Sequence, residues 1–245
     1  MMVTLSRRLQ AVAALAEPGK IAADIGCDHG YVSIWLIQQK IFSKVIAMDV
    51  RPGPLETARK NVALYRMEDA IELRLSDGLR MLGIGEADCM ICAGMGGALI
   101  CHILEDAPEK AKTMKQIILQ PQSELFLVRR FLRQHGYAIT KEDMVKEDGK
   151  YYPMLRAVWQ EEQVKLAEEC QDIYDAYGRL LLEGHHPVLY EWLLHEQTVT
   201  RDILSGLQKA IGAERDTAAS RRQRQRLSEL QEKQRRIEAA LSYYA

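Results

Sequence analysis

The chain lacks any apolar run long enough to cross a bilayer: stretches such as Ala11–Ala16 and Val45–Met48 fall far short of the roughly 18 residues required. A secretory leader is not expected either, because the apolar stretch after Arg7-Arg8 is ended by Glu17 and Pro18 with no cleavage site. Paired cysteines are missing too. Five thiols (Cys27, Cys89, Cys92, Cys101 and Cys170) form an odd set without regular spacing, which argues against a disulfide framework and predicts reduced thiols in a cytoplasmic protein. Cys89 and Cys92 make a lone C-x-x-C, but Asp88-Cys89-Met90-Ile91-Cys92 reads as a buried strand. With no second Cys/His pair at ligand spacing, no metal is expected. A net charge of −1 on 245 residues says little about partners. Its distribution says more, since Arg215–Arg236 holds eight basic and three acidic residues.

What is present is ordinary globular composition, 47% hydrophobic and 27% charged, arranged in two regimes. Up to residue 160, strand-like runs at Ile21–Ile25, Lys44–Asp49, Ile71–Leu75, Ala87–Cys92 and Lys115–Leu119 alternate with helical patterns. Those patterns cover Tyr31–Gln39, Gly53–Tyr65, Leu79–Leu82, Ala98–Glu105 and Ser123–Gln134. Short apolar strands followed by amphipathic helices predict βαβ units and a parallel sheet. Two further strands, Ala138–Val145 and Met154–Trp159, flank the polar turn Lys146–Lys150 and predict a closing antiparallel hairpin. Residues 1–160 are therefore expected to form a doubly wound domain. Residues 161–245 read as helical, with Leu227, Leu230, Gln234, Ile237, Leu241 and Tyr244 spaced as an a/d seam. Leu189, Trp192, Val199, Ile203, Leu207 and Ile211 offer a facing stripe. The expectation is an antiparallel helical hairpin or small coiled-coil domain in a monomer, with a dimer as the alternative; periodicity alone fits a helical cap on the first domain equally well.

The chemistry concentrates at the strand ends. Ala23-Asp24-Ile25-Gly26-Cys27-Asp28-His29-Gly30-Tyr31 forms the first strand-to-helix turn. Gly26 permits a tight turn and Gly30 a close backbone approach at a helix N-terminus. The two glycines stand four apart, so this is not the G-x-G-x-x-G dinucleotide pattern. Its carboxylates, Asp24 and Asp28, suit a ligand carrying an ammonium and a sulfonium, as S-adenosyl-L-methionine does. Asp49, followed by Val50, ends the second strand where a carboxylate can accept both ribose hydroxyls. Asp77-Gly78 follows the third strand, placed to meet an adenine amine. One strand-end aspartate is commonly a helix cap; three at successive strands point to a ligand. Ala93-Gly94-Met95-Gly96-Gly97 and Leu119-Gln120-Pro121-Gln122 end the fourth and fifth strands on the same rim, with Pro121 expected to stop the strand and Gln120 to reach a base edge.

These segments, together with Leu5-Ser6-Arg7-Arg8-Leu9, resemble the bacterial tRNA (adenine(22)-N(1))-methyltransferase family, TrmK. The D-I-G-x-D-H-G-Y and A-G-M-G-G pair carries the likeness, which covers most of the first domain. Cys27 stands where family members commonly have Thr or Ser, and Gln122 where they have Asn. The resemblance implies a class I, Rossmann-like methyltransferase fold with seven strands, S-adenosyl-L-methionine turned over to S-adenosyl-L-homocysteine, and tRNA as substrate. A methylase of exocyclic amines carries Asn/Asp-Pro-Pro-aromatic after the fourth strand; its absence fits a ring-nitrogen target. Asp24, Gly26, Cys27, Asp28, Gly30, Asp49, Val50, Asp77, Gly78, Ala93, Gly94 and Met95 are then expected at the cofactor. Asp28 and His29 are the catalytic candidates, near the amine or the cationic product. A target adenine turned out of its stack is expected against Tyr31, Tyr152, Gly96 and Gln120. Arg7, Arg8, Arg129, Arg130, Arg133, Arg221 and Arg222 are the candidates for phosphate contact. A small-molecule methyltransferase and a non-enzymatic RNA-binding scaffold are the competing readings; the first has no use for the arginine-bearing coil, and the second leaves the row of aspartates idle.

Overall fold

The computed structural model describes residues 1–161, 170–211 and 218–245, with the side chains of residues 209–211 and 218–222 outside that description. The chain divides into two compact units, Met1–Lys165 and Leu166–Ala245. The first runs α1 (Arg7–Ala14), β1 (Gly19–Ile25), α2 (Tyr31–Gln38), β2 (Phe42–Asp49), α3 (Pro52–Leu64), β3 (Ile71–Leu75), β4 (Cys89–Gly96) and α4 (Gly97–Asp106). It continues with α5 (Pro108–Ala111), β5 (Gln116–Ser123), α6 (Leu125–Gln134), β6 (Tyr137–Glu147) and β7 (Lys150–Trp159).

Seven strands form one sheet in the order β3-β2-β1-β4-β5-β7-β6. The first five are parallel, and β7 runs antiparallel to both β5 and β6. Helices cover both faces, so the central strands are apolar residue after residue, and strand alternation sorts their side chains between two cores. Ala23, Ile25, Ile46, Met48, Met90 and Cys92 pack with α4 and α6. Ala22, Val45, Ala47, Cys89 and Ile91 pack with α1, α2 and α3. The chain winds outward from β1 in one direction and from β4 in the other. The carboxyl ends of these two neighbours therefore frame the crevice where open α/β sheets bind ligands.

Three local readings are corrected. Leu79–Leu82 forms turns instead of a helix: Ser76 Oγ accepts the Met81 N–H at 3.1 Å and donates to the Gly78 carbonyl, which closes the loop on itself. β4 does not stop at Cys92 but runs on through Gly96, with register shifts on either side of Met95, and passes directly into α4. β5 likewise continues past Pro121 to Ser123. Pro121 aligns with Met95 within that irregular stretch, where a missing N–H interrupts the ladder least.

The second unit contains α7 (Gln171–Tyr177), α8 (Arg179–Glu183), α9 (Pro187–Ile211), α10 (Ala218–Leu241) and a 3₁₀ turn at Ser242–Tyr244. α9 and α10 pack side by side and antiparallel: Lys233 of α10 pairs with Glu196, while in the 3₁₀ turn just beyond α10 the Tyr244 ring stacks 4.9 Å from that of Tyr190, nearer the start of α9. Leu230 and Ile237 are buried and the other seam positions half-buried. On α9 the buried stripe differs from the expected one. Leu189, Leu193 and Thr200 are buried, whereas Ile203 is 42% exposed, because an α-helix drifts off a fixed four-residue step. The side chains of Ile211, from the expected stripe, and of Arg221 and Arg222 lie outside the description. Among the described residues no helix is long and apolar enough to cross a membrane.

Candidate active site

A cleft of about 570 Å³ opens over the carboxyl ends of β1, β2 and β4, within the size range of small-molecule sites. Its floor is the β1–α2 turn. Gly26 and Gly30 both hold positive φ, at 71° and 75°, which L side chains avoid. A Cβ on Gly26 would also lie 2.0 Å from the Met95 Cε. The N–H groups of Gly26 and Cys27 both donate to the Met48 carbonyl, at 2.7 and 2.9 Å. The Asp28 N–H points to Asp49 Oδ2 at 3.3 Å, so the turn is tied to β2 at three points.

The three strand-end carboxylates all line this cleft. Asp24 and Asp49 are buried, each 5% exposed. Ser33, one turn into α2, donates its hydroxyl to Asp24 Oδ2 at 2.6 Å. Burial still raises the Asp24 pKa from 3.8 to about 6 against that hydrogen bond, and the charge of Asp49 adds to the rise. Asp49 is oriented by two backbone donors, Arg51 N–H on Oδ1 at 2.9 Å and Asp28 N–H on Oδ2. The Asp77 side chain is 57% exposed and meets Arg80 at 3.1 Å. Its neighbour Gly78 faces Ile103, and Ile103, Leu99 and Val50 supply apolar wall. Val50 and Leu99 are 60% and 47% exposed and line the cleft.

At the rim, Asp28 Oδ1 and His29 Nε2 stand 3.4 Å apart, and the His29 ring lies 6.1 Å from the Tyr31 ring at 25°. Ala93, Gly94 and Met95 form the β4 side, with Gly94 at a φ of 83°. Burial pushes the Cys27 thiol upward, and the charges of Asp24, Asp49 and Asp28 around it add to the rise. All five cysteines are free, and no group of three metal-ligating side chains occurs among the described residues.

Several expected substrate contacts are placed elsewhere. Gln120 is fully buried, accepting from Arg8 at 2.6 Å and donating to the Pro121 carbonyl at 3.0 Å, so it has no free edge for a base. Gly96 is not part of the cleft and sits against Ser123 and Glu124. Arg129 is buried at 2% and pairs with the fully buried Glu142 at 2.9 Å, which removes it from any phosphate-binding face. Arg130 on the same helix is exposed and Arg133 half-buried, so the three do not form one patch. Tyr152 is half-buried and carries the Arg8 guanidinium over its ring at 5.5 Å, while Arg7 is exposed on the surface. Sequence reasoning missed Ser33, Ser76, Arg51, Leu99 and Ile103. A serine one turn into α2 and the serine of Ser76-Asp77-Gly78 were available signals; the apolar wall had none, because α4 reaches the cleft only through the fold.

Residues 5–155 match the family described as methyltransferase domain. The chain is similar to the crystal structure of the Bacillus subtilis m1A22 tRNA methyltransferase TrmK, with a TM-score of 0.82, 30% identity, and coverage of 97% of this chain and 99% of that one. The chain belongs to the TrmK family. Its class I methyltransferase fold and seven-stranded mixed sheet are those of that family. The TrmK likeness extends to a Streptococcus pneumoniae protein solved in complex with S-adenosyl-L-methionine, at a TM-score of 0.79 and 28% identity over 97% of this chain and 100% of that one. In sequence, the tRNA (adenine(22)-N(1))-methyltransferase of Bacillus subtilis strain 168 is 39% identical over 153 residues, 62% of this chain. That alignment spans 64% of the relative's own length.

Proposed function

We propose that this chain transfers a methyl group from S-adenosyl-L-methionine to N1 of adenine 22 in tRNA. The observation that carries the reading is the convergence of Asp24, Asp49 and Asp77, from three strand ends, on one cleft floored by glycine turns. A ligand with ammonium and sulfonium charges meets there a preformed field of the right sign. The relatives' named activity and the donor bound by one of them agree with it.

The bound donor would supply an electrophilic methyl carbon. The protein's contribution is placement. Asp49, fixed by two backbone N–H groups, offers both oxygens to a ribose. Val50, Leu99 and Ile103, which line the cleft, would hold an adenine ring, and Asp77 would accept from its amine. Adenine N1 is neutral and presents an in-plane lone pair, so no strong base is needed to expose it. Asp28 and His29 stand at the rim to accept from the target's N6 amine and to balance the positive charge that the ring acquires. Tyr31, stacked beside His29, offers a face to a base turned out of its stack. Holding the two reactants in line supplies roughly 7–11 kcal/mol of the barrier reduction.

The helical unit, with its antiparallel α9 and α10, serves in this reading as a coiled-coil arm for folded tRNA. Arg221 and Arg222, with Arg7 and Arg130 on the first unit, contact phosphates. The protein works as a cytoplasmic monomer. Incubating purified protein with unmodified tRNA and donor, then mapping the modified nucleoside, tests the reaction. 1-Methyladenosine at position 22 is expected; N6-methyladenosine, or no transfer, overturns it. Removing residues 161–245 is expected to abolish tRNA methylation and to preserve donor binding.

A further inference from the structure

The cleft is rich in carboxylates, yet one of its cations has no acidic partner. Arg51 lies 3.8 Å from Asp49. Arg8 also lines the cleft, and among the described residues no carboxylate stands within ion-pair distance of it. Its guanidinium is nevertheless held in place. One terminal nitrogen donates to Gln120 Oε1 at 2.6 Å, and the group lies over the Tyr152 ring at 5.5 Å. Gln120 is itself locked by burial and by its bond to the Pro121 carbonyl. A guanidinium has five N–H donors in a rigid fork, and a neutral amide and an aromatic face leave most of them, and the whole charge, unmatched. The same group closes on Gly94, where an added Cβ would stand 3.7 Å from both the Arg8 nitrogen and the Gln122 side-chain amide nitrogen, so a second donor lies close beside the cation. A cation fixed by neutral groups, with the Gln122 amide beside it on the same cleft wall, is a receptor for a planar anion.

The donor proposed above has one such anion. Its amino-acid end carries an ammonium, suited to the aspartates, and a carboxylate, which the aspartates repel. We propose that Arg8 binds the α-carboxylate of the methyl donor, and that its place in the site is with the cofactor and not with tRNA phosphate. Resting on the cofactor reading, the assignment explains why a basic residue in a leading helix is turned into the cleft.

The test is calorimetric titration of the full-length protein with S-adenosyl-L-methionine and with its decarboxylated analogue, which keeps both positive charges and lacks only the carboxylate. Arg8→Gln is expected to weaken the intact donor about 10–100-fold, the range of a charge-assisted hydrogen bond, and to leave the analogue within about twofold. Arg8→Lys, which keeps the charge without the fork, is expected to recover part of the loss. Equal weakening of both ligands marks a structural role and overturns the assignment. Unchanged donor binding with weakened tRNA binding does the same in favour of phosphate. A wild-type protein that binds neither ligand removes the cofactor reading itself, an outcome distinct from the other two.

Discussion

Asp24 is a buried acid whose burial costs the fold stability while its charge serves the ligand, so replacing it with asparagine separates the two. The folded-state pKa stands at about 6 against an ordinary 3.8, a difference worth about 3 kcal/mol at 1.36 kcal/mol per unit. The folded chain therefore holds a proton on Asp24 between about pH 4 and pH 6 that the unfolded chain has already released. Stability contributed by this group is present at low pH and is lost as pH rises through that window. At pH 7.5 the charged form is the strained one. Asp24→Asn keeps an oxygen to accept the Ser33 hydroxyl and removes the buried charge. Urea unfolding at pH 7.5 is expected to show a gain of up to about 3 kcal/mol, and the slope of stability against pH between 4 and 6 is expected to flatten. Binding of S-adenosyl-L-methionine is expected to weaken in the same variant, because a cation loses its counter-charge. For the wild type the mirror image follows: donor affinity falls as pH drops below about 6. A variant that is less stable than the wild type with an unchanged pH slope would refute the reasoning.

Three further outcomes are expected. Asp49→Asn puts an amide nitrogen against one of the two backbone N–H groups it accepts from; losing a charge-assisted contact of about 1.5–3 kcal/mol should raise the donor Kd at least tenfold by calorimetry. Arg129→Ala leaves the Glu142 carboxylate buried without its partner and should cost about 3–5 kcal/mol in denaturant unfolding, whereas Arg130→Ala, at an exposed site, should stay within about 0.5 kcal/mol. Gly97→Ala places a methyl 2.6 Å from the Ser123 carbonyl and 2.8 Å from that of Glu124; backbone cannot yield as a side chain does, so a loss of about 1–3 kcal/mol is expected from overpacking, with a lower Tm.

The sheet was legible because its strands are short, apolar and punctuated by Gly, Pro and Asp, and the acidic rim because aspartates at successive strand ends are read together once the strands are placed. The side-chain directions were less so. Arg7 and Arg8 are adjacent in sequence and both basic, yet one faces outward and the other lines the cleft; only the packing of α1 against the sheet decides which. Arg129 did carry a signal. Leu125, Val128, Arg129 and Leu132 follow the 3-1-3 spacing of a buried helical stripe, and an arginine on that stripe needs a buried acid, which β6 supplies from thirteen residues away. Gln120 looked like a rim residue because Pro121 looked like a stop; once β5 continues to Ser123, position 120 is interior.

The three ties between the β1–α2 turn and β2 bear on how ligands come and go. With the Gly26, Cys27 and Asp28 amides all anchored to Met48 and Asp49, the loop has no hinge of its own and swings only if the central strands separate. Any opening that lets donor and spent product exchange must then come from the other walls of the cleft, such as the Ser76–Gly78 loop or the Ala93–Met95 stretch, and not from this turn. Hydrogen–deuterium exchange at those three amides should accordingly be as slow as in the middle of the sheet.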